Sequence, residues 1–167
     1  KVIDPDVQLD DIRQLAKVKG QFRTSIIVDP PDGKMPFTKA GLDLSDAVDR
    51  AFSDDFDGPE QRPLTERCLE NVGFAPMRAL PVLLPRQIVQ TRDDVAIMVE
   101  DAVGLRLIHL TGQPPPERVR TVEGYSAGRW EGDTLVAETT HLRAGYPARD
   151  VLGRTLVLSP KTKITER

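Results

Sequence analysis

Cysteine, histidine and aromatic residues are scarce in this chain. Cys68 is the only cysteine, there are two histidines and one tryptophan, and aromatics make up 5% of 167 residues. A single cysteine excludes an intrachain disulfide and any multi-cysteine metal site. Two histidines, His109 and His141, would need carboxylates such as Glu100 or Glu138 to complete a zinc ligand set. No metal or other cofactor is expected. So few rings argue against a single-strand nucleic-acid binder, which stacks bases on several. The longest apolar run, around Pro81-Val82-Leu83-Leu84, is far too short to cross a bilayer, so no membrane span is expected. Neither sign of charge dominates: 23 basic and 26 acidic residues are interspersed, giving net −3, and no basic stripe could follow a phosphate backbone. Nucleic acid is therefore not an expected partner. The Gly-x-Ser-x-Gly elbow, the phosphate-cradling Gly-rich loop ending in Lys-Ser/Thr and the His-Glu-x-x-His motif are all missing.

The sequence has 39% hydrophobic and 29% charged residues, the composition of an ordinary globular domain. At this length one domain over 1–167 is expected, with enough buried surface to fold without staples. Val7, Leu9, Ile12, Leu15 and Val18 have helical spacing and predict a short helix ending at Gly20. Phe22 to Val28 predicts a strand, halted by Asp29-Pro30-Pro31-Asp32-Gly33. Ser45-Asp46 predicts the cap of a helix through Ala47, Val48, Ala51 and Phe52, and a second short helix is expected from Thr65 to about Glu70. Residues 1–85 thus read as irregular, with short helices and one strand.

From Arg86 the pattern becomes one of short strands between turn signals: 87–91, 95–100, 105–110, 126–131, 134–142, 154–158 and 161–166. Gly132-Asp133 is a two-residue linker of hairpin type. No helix of crossover length intervenes. The expected fold is mainly β, an antiparallel meander over 86–167 curled into a barrel or half-barrel, with short N-terminal helices.

Four strings are similar to a large group of uncharacterised, mostly exported bacterial proteins. They are Arg23-Thr-Ser-Ile-Ile-Val-Asp-Pro-Pro-Asp-Gly33, Gly58-Pro-Glu-Gln-Arg-Pro-Leu-Thr-Glu-Arg-Cys-Leu69, Gln87-Ile-Val-Gln-Thr91 and Gly128-Arg-Trp-Glu-Gly-Asp-Thr-Leu-Val-Ala-Glu-Thr-Thr140. The resemblance covers roughly residues 22–167. It implies a periplasmic or extracellular location and brings no activity or catalytic residues. Relatives often carry Asn in place of His141, and a His within the segment that is Asp101-Ala102-Val103 here. Their pattern continues past Arg167, so the chain is expected to stop inside the domain, and the absence of Met before Lys1 reads as processing or trimming. Gly128-Arg129-Trp130 also resembles the Gly-x-Trp of lipocalins, though it comes late in the chain, which limits that likeness to architecture.

Several residue groups invite a functional reading. Ser53, Asp55, Asp57 and Gly58 have the spacing of a calcium loop, but the twelfth position is Leu64, so the loop lacks its bidentate ligand and reads as a solvated acidic turn. Strand alternation places His109 with Leu105 and Leu107, and His141 with Leu135, Ala137 and Thr139. If those faces point inward, both imidazoles reach the barrel interior. Glu100, Arg106, Arg129 and Glu138 are charges within strands, which must face solvent, pair or line a cavity. Trp130 reads as a core residue or a plug at the barrel end, and Cys68 as a packed side chain. Glu131 and Asp133 are expected to be turn residues with carboxylates in water.

Two functions fit. One is a non-enzymatic exported domain binding a small apolar or amphipathic ligand, or another protein, with Arg129, Trp130 and Glu138 as ligand contacts. The other is an enzyme acting on a small molecule, with Glu100, Arg106, His109 and His141 as acid, base and anion-binding groups. A strand over 161–166 at the sheet edge would also offer a place for a second copy or another chain to pair.

Overall fold

The computed structural model describes residues 17–18, 20–22, 27–53, 58–59, 86–99, 104–149 and 155–167. The chain divides into two compact units, Lys1–Thr38 and Lys39–Arg167. In the first, β1 (Lys17–Val18) and β2 (Gln21–Phe22) pair antiparallel around Gly20, and the Lys17 ammonium lies 4.5 Å from the centre of the Phe22 ring. The helix expected to end at Gly20 therefore gives way to a strand at Lys17–Val18, and its remainder lies outside the described residues. Of the strand expected over Phe22 to Val28, Phe22 lies in β2 and Ile27 and Val28 lie in no strand, while residues 23–26 lie outside the described residues. The turn after it is present: Gly33 N–H donates to the Pro30 carbonyl at 3.0 Å, and Lys34 N–H to Asp32 Oδ1 at 3.0 Å.

The second unit opens with α1 (Lys39–Ser53), which starts earlier than its expected cap at Ser45. Lys39 and Asp43 form an i,i+4 ion pair at 2.7 Å that supports the first turn, and Ser45 is fully buried within the helix. The predicted helix at Thr65–Glu70, Cys68, and Asp55 and Asp57 of the acidic turn lie outside the described residues.

Seven of the remaining strands match the expected series closely. They are β3 (Arg86–Gln90), β4 (Asp94–Val99), β5 (Gly104–His109), β6 (Tyr125–Glu131), β7 (Thr134–Thr140), β9 (Thr155–Leu158) and β10 (Ile164–Glu166); β8 (Gly145–Arg149) adds a strand that was not expected. Six of them form one sheet in the order β10-β7-β6-β5-β4-β3. The sheet is not closed: β3 and β10 are its two edges. β8 and β9 pair separately, with a register shift between Gly145 and Ala148 where Pro147 cannot donate to a ladder, and α1 contacts β9.

The antiparallel meander holds for β3-β4-β5 and for β6-β7, but β5 and β6 run parallel, through Ile108↔Ser126 and His109↔Ala127. The reason is the connection. Residues 110–124, with three consecutive prolines, supply the dozen or so residues that a parallel crossover needs, without forming a helix. Thr121 N–H donates to the His141 carbonyl at 3.1 Å, which ties this connection to the end of β7. The β6–β7 hairpin closes as expected, with Glu131 opposite Thr134 and Gly132 at φ 64°.

One face of the sheet forms the core. Val95, Ile97, Ile108 and Ala137 are buried together, with Leu110 and Leu135 packed against them. Gly128 on β6 sits under this cluster: a Cβ there would lie 2.6 Å from Ile108 Cγ2 and 3.1 Å from Leu110 Cδ2. The opposite face of β3–β5 leaves Val89, Met98, Leu105 and Leu107 largely exposed. Among the described residues, no helix is long and apolar enough to cross a membrane.

Candidate functional site

The parallel β5–β6 ladder has only two residue pairs, so the strands part beyond Ile108↔Ser126. A cavity of about 180 Å³ opens there, lined by Arg106, Leu107, His109, Glu123, Gly124, Tyr125 and Ser126. Even and odd residues of β5 reach it from different sides. Arg106 belongs to the buried face, whereas His109 lies on the other face with the exposed Leu105 and Leu107. His109 does share a face with Leu105 and Leu107, as alternation predicts, but that face is the outer one: the inward residues of β5 are Arg106 and Ile108.

Arg106 is 4% exposed. Its Nη1 and Nη2 donate to Glu166 Oε1 and Oε2 at 3.1 and 2.5 Å, and Nη2 also donates to Thr139 Oγ1 at 3.3 Å. Thr139 and Ser126 share a hydroxyl–hydroxyl hydrogen bond of 2.8 Å. The guanidinium therefore reaches from β5, over the small Ser126 on β6, to β7 and β10. Its charge is matched by Glu166, not by a carboxylate on a neighbouring strand. One donor is left over: Arg106 Nε is buried and has no hydrogen-bond partner among the described residues. Such a donor costs roughly 1–3 kcal/mol if it stays unpaired.

On the other wall, His109 Nδ1 lies 2.7 Å from Asp94 Oδ1, its directly opposite residue on β4. The tautomer that donates from Nδ1 to this carboxylate leaves Nε2 as an acceptor. Thr91 Oγ1 fixes the start of β4 by accepting from Asp94 N–H at 3.0 Å. Tyr125 stacks on the His109 ring, with centroids 4.9 Å apart and planes at 17°. Gly124 N–H donates to Thr121 Oγ1 at 2.9 Å, which holds the chain as it enters β6.

His141 does not continue the alternation of β7. Its φ of 57° breaks the strand after Thr140, a conformation in which histidine is enriched. Its ring meets Tyr125 edge-on at 6.3 Å, its Nδ1 is 2.8 Å from Thr140 Oγ1, and its Nε2 is 3.5 Å from Glu117 Oε2. It stands behind Tyr125 and does not line the cavity.

Of the sequence-derived candidates, Arg106 and His109 meet at one cavity, and Glu100 lies outside the described residues. Arg129 pairs with Glu131 at 2.6 Å, Glu138 with Lys163 at 2.7 Å, and Trp130 is 47% exposed. None of these three lines the cavity, and Trp130 is not the buried plug expected of it. Asp133 is the exposed turn residue it was expected to be, whereas Glu131, also exposed, is the last residue of β6 and lies 3.4 Å from Arg167. Asp94, Glu123, Tyr125 and Ser126 were missed. Among the described residues no group of three or more His, Cys, Asp or Glu is placed to hold a metal ion. Compared with protein-family models, with curated proteins and with solved structures, the chain matches none.

Proposed function

We propose that this is a small-ligand-binding β domain whose ligand occupies the cavity between β5 and β6. The observation that carries this reading is the cavity itself, about 180 Å³ and walled by the polar side chains of Arg106, His109, Glu123, Tyr125 and Ser126. The volume supports a ligand smaller than a drug-sized molecule, since an apolar cavity of ~150 Å³ holds benzene. Screening small fragments by protein-detected NMR tests it. Hits should cluster on Leu107, Gly124 and Tyr125, and a Leu107→Trp variant that fills the mouth should lose them. Hits scattered elsewhere, unaffected by Leu107→Trp, would overturn it.

The half-barrel form of the sheet belongs to the same proposal. Glu166 pairs with Ala137, opposite Gly128, whereas Arg106 lies two residues before Ile108, opposite Ser126. In a flat sheet three strand spacings and four residues of offset would separate them by roughly 19 Å. Two side chains end to end do not span that distance, which supports a strongly curled sheet. The resemblance to exported bacterial proteins supports a periplasmic or extracellular site of action.

A second reading, acid–base catalysis, is favoured by one feature, the Asp94-oriented His109 on the cavity wall. It requires the reacting proton of a bound molecule within hydrogen-bond reach of His109 Nε2. A ligand complex that places only carbon atoms against that nitrogen counts against it.

A further inference from the structure

We infer that β3 is a dimerisation edge, along which a second copy of this chain adds its own β3 antiparallel, related by a two-fold axis beside Ile88. The inference is independent of the cavity. Of the sheet's two edges, β10 is guarded: it has three residues, Lys163 and Arg167 flank it, and Glu166 is held by Arg106. β3 is not. Its five residues pair with β4 without a break in register, and Gln87-Ile-Val-Gln90 holds no charge, proline or glycine. Ile88 stands on the core face, opposite the buried Ile97, yet is 63% exposed because its strand is the last of the sheet.

The phase of the hydrogen bonds decides which backbone groups face outward. Thr91 N–H donates to the Asp94 carbonyl at 2.8 Å, so in the alternating ladder the N–H and C=O of Val89 and Gln87 also face β4. Those of Ile88 and Gln90 turn away from the sheet. An antiparallel partner must meet them in the same phase. For two copies of β3, the register that pairs all five residues sets Ile88 opposite Ile88 of the other copy, where the two exchange a pair of N–H···O=C bonds. That register also places Arg86, the one charged residue of β3, opposite uncharged Gln90, so no like charges meet. Each Ile88 gains an apolar neighbour, and the contact is self-complementary, as a two-fold interface must be. A strand pair alone is smaller than a stable interface of about 1,200–2,000 Å², so the dimer should be weak and dissociate on dilution.

The test combines sedimentation equilibrium from about 10 μM to about 1 mM with amide exchange by NMR at both ends of that range. The mass should rise toward that of two chains. At the high concentration the Ile88 and Gln90 amides should slow by more than those of Gln87 and Val89, which β4 already binds. Ile88→Lys and Ile88→Glu change an exposed side chain and should each leave the fold intact. Each should weaken association at least about tenfold, because like charges then stand opposite each other across the axis. Mixing the two variants should restore association, a result that a local effect of either substitution does not give. A chain that stays monomeric up to about 1 mM, a dimer that neither variant weakens, or a dimer whose newly slowed amides lie in β10 would each overturn the inference. So would Ile88 and Gln90 amides equally slow at both concentrations, since the chain itself would then cover β3.

Discussion

At the scale of residues, one arginine organises the interior. Arg106 is legible in the sequence as a charge inside an apolar strand, sharing the face of Ile108 and Leu110, and such a charge must pair or line a cavity. Its partner was not legible, because Glu166 is sixty positions away and is brought near only by β10 docking on β7. Glu166→Ala should strand the guanidinium. The loss should be about 2–3 kcal/mol by chemical denaturation, below the ~3–5 of a fully buried pair because Glu166 keeps 22% of its side chain exposed. A change under about 0.5 kcal/mol would mean that the pair is solvated. Gly128→Ala tests close approach. Its Cβ would intrude on Ile108 and Leu110, and crowding of this kind costs roughly 1–3 kcal/mol, read as a lower denaturation midpoint at unchanged slope. Asp94 shows a different blind spot. It reads as a turn residue, and only the β4–β5 register sets it opposite His109.

At the scale of elements, local chemistry located the strands well and their partners less well. Alternation and turn residues mark β3 to β7, because period and punctuation are properties of a few neighbouring residues. The parallel docking of β5 on β6 depends on where the 110–124 connection leads, which no local pattern encodes, and that junction is where the cavity opens. Strand alternation also misplaced His141, whose positive φ ends β7. The β6–β7 hairpin is the element most fully specified by its own sequence. Gly132 turns with a left-handed backbone and no neighbour crowding its α-carbon. Gly132→Val should therefore cost about 1–2 kcal/mol through the backbone alone, while Gly132→Asn should cost much less. Equal losses for the two, measured by thermal or urea unfolding, would place the cost in side-chain packing instead.

At the scale of the whole molecule, the six-stranded sheet combines a buried face with an opening between its two central strands. The inner strands β4 to β7 hold the buried cluster, whereas every residue of β3 is exposed. In the dilute monomer, amide hydrogen exchange should accordingly be slowest in β4–β7 and faster by orders of magnitude at the outer edge of β3. Equal protection of all five strands would show that β3 is covered in solution. The function rests on the opening itself, so its direct test is a crystal structure of the protein soaked with the small fragments that bind it in solution. The account predicts a fragment bound between β5 and β6, in contact with His109, Tyr125 and Leu107. A gap closed by the protein's own side chains, with the fragments elsewhere or absent, would contradict it.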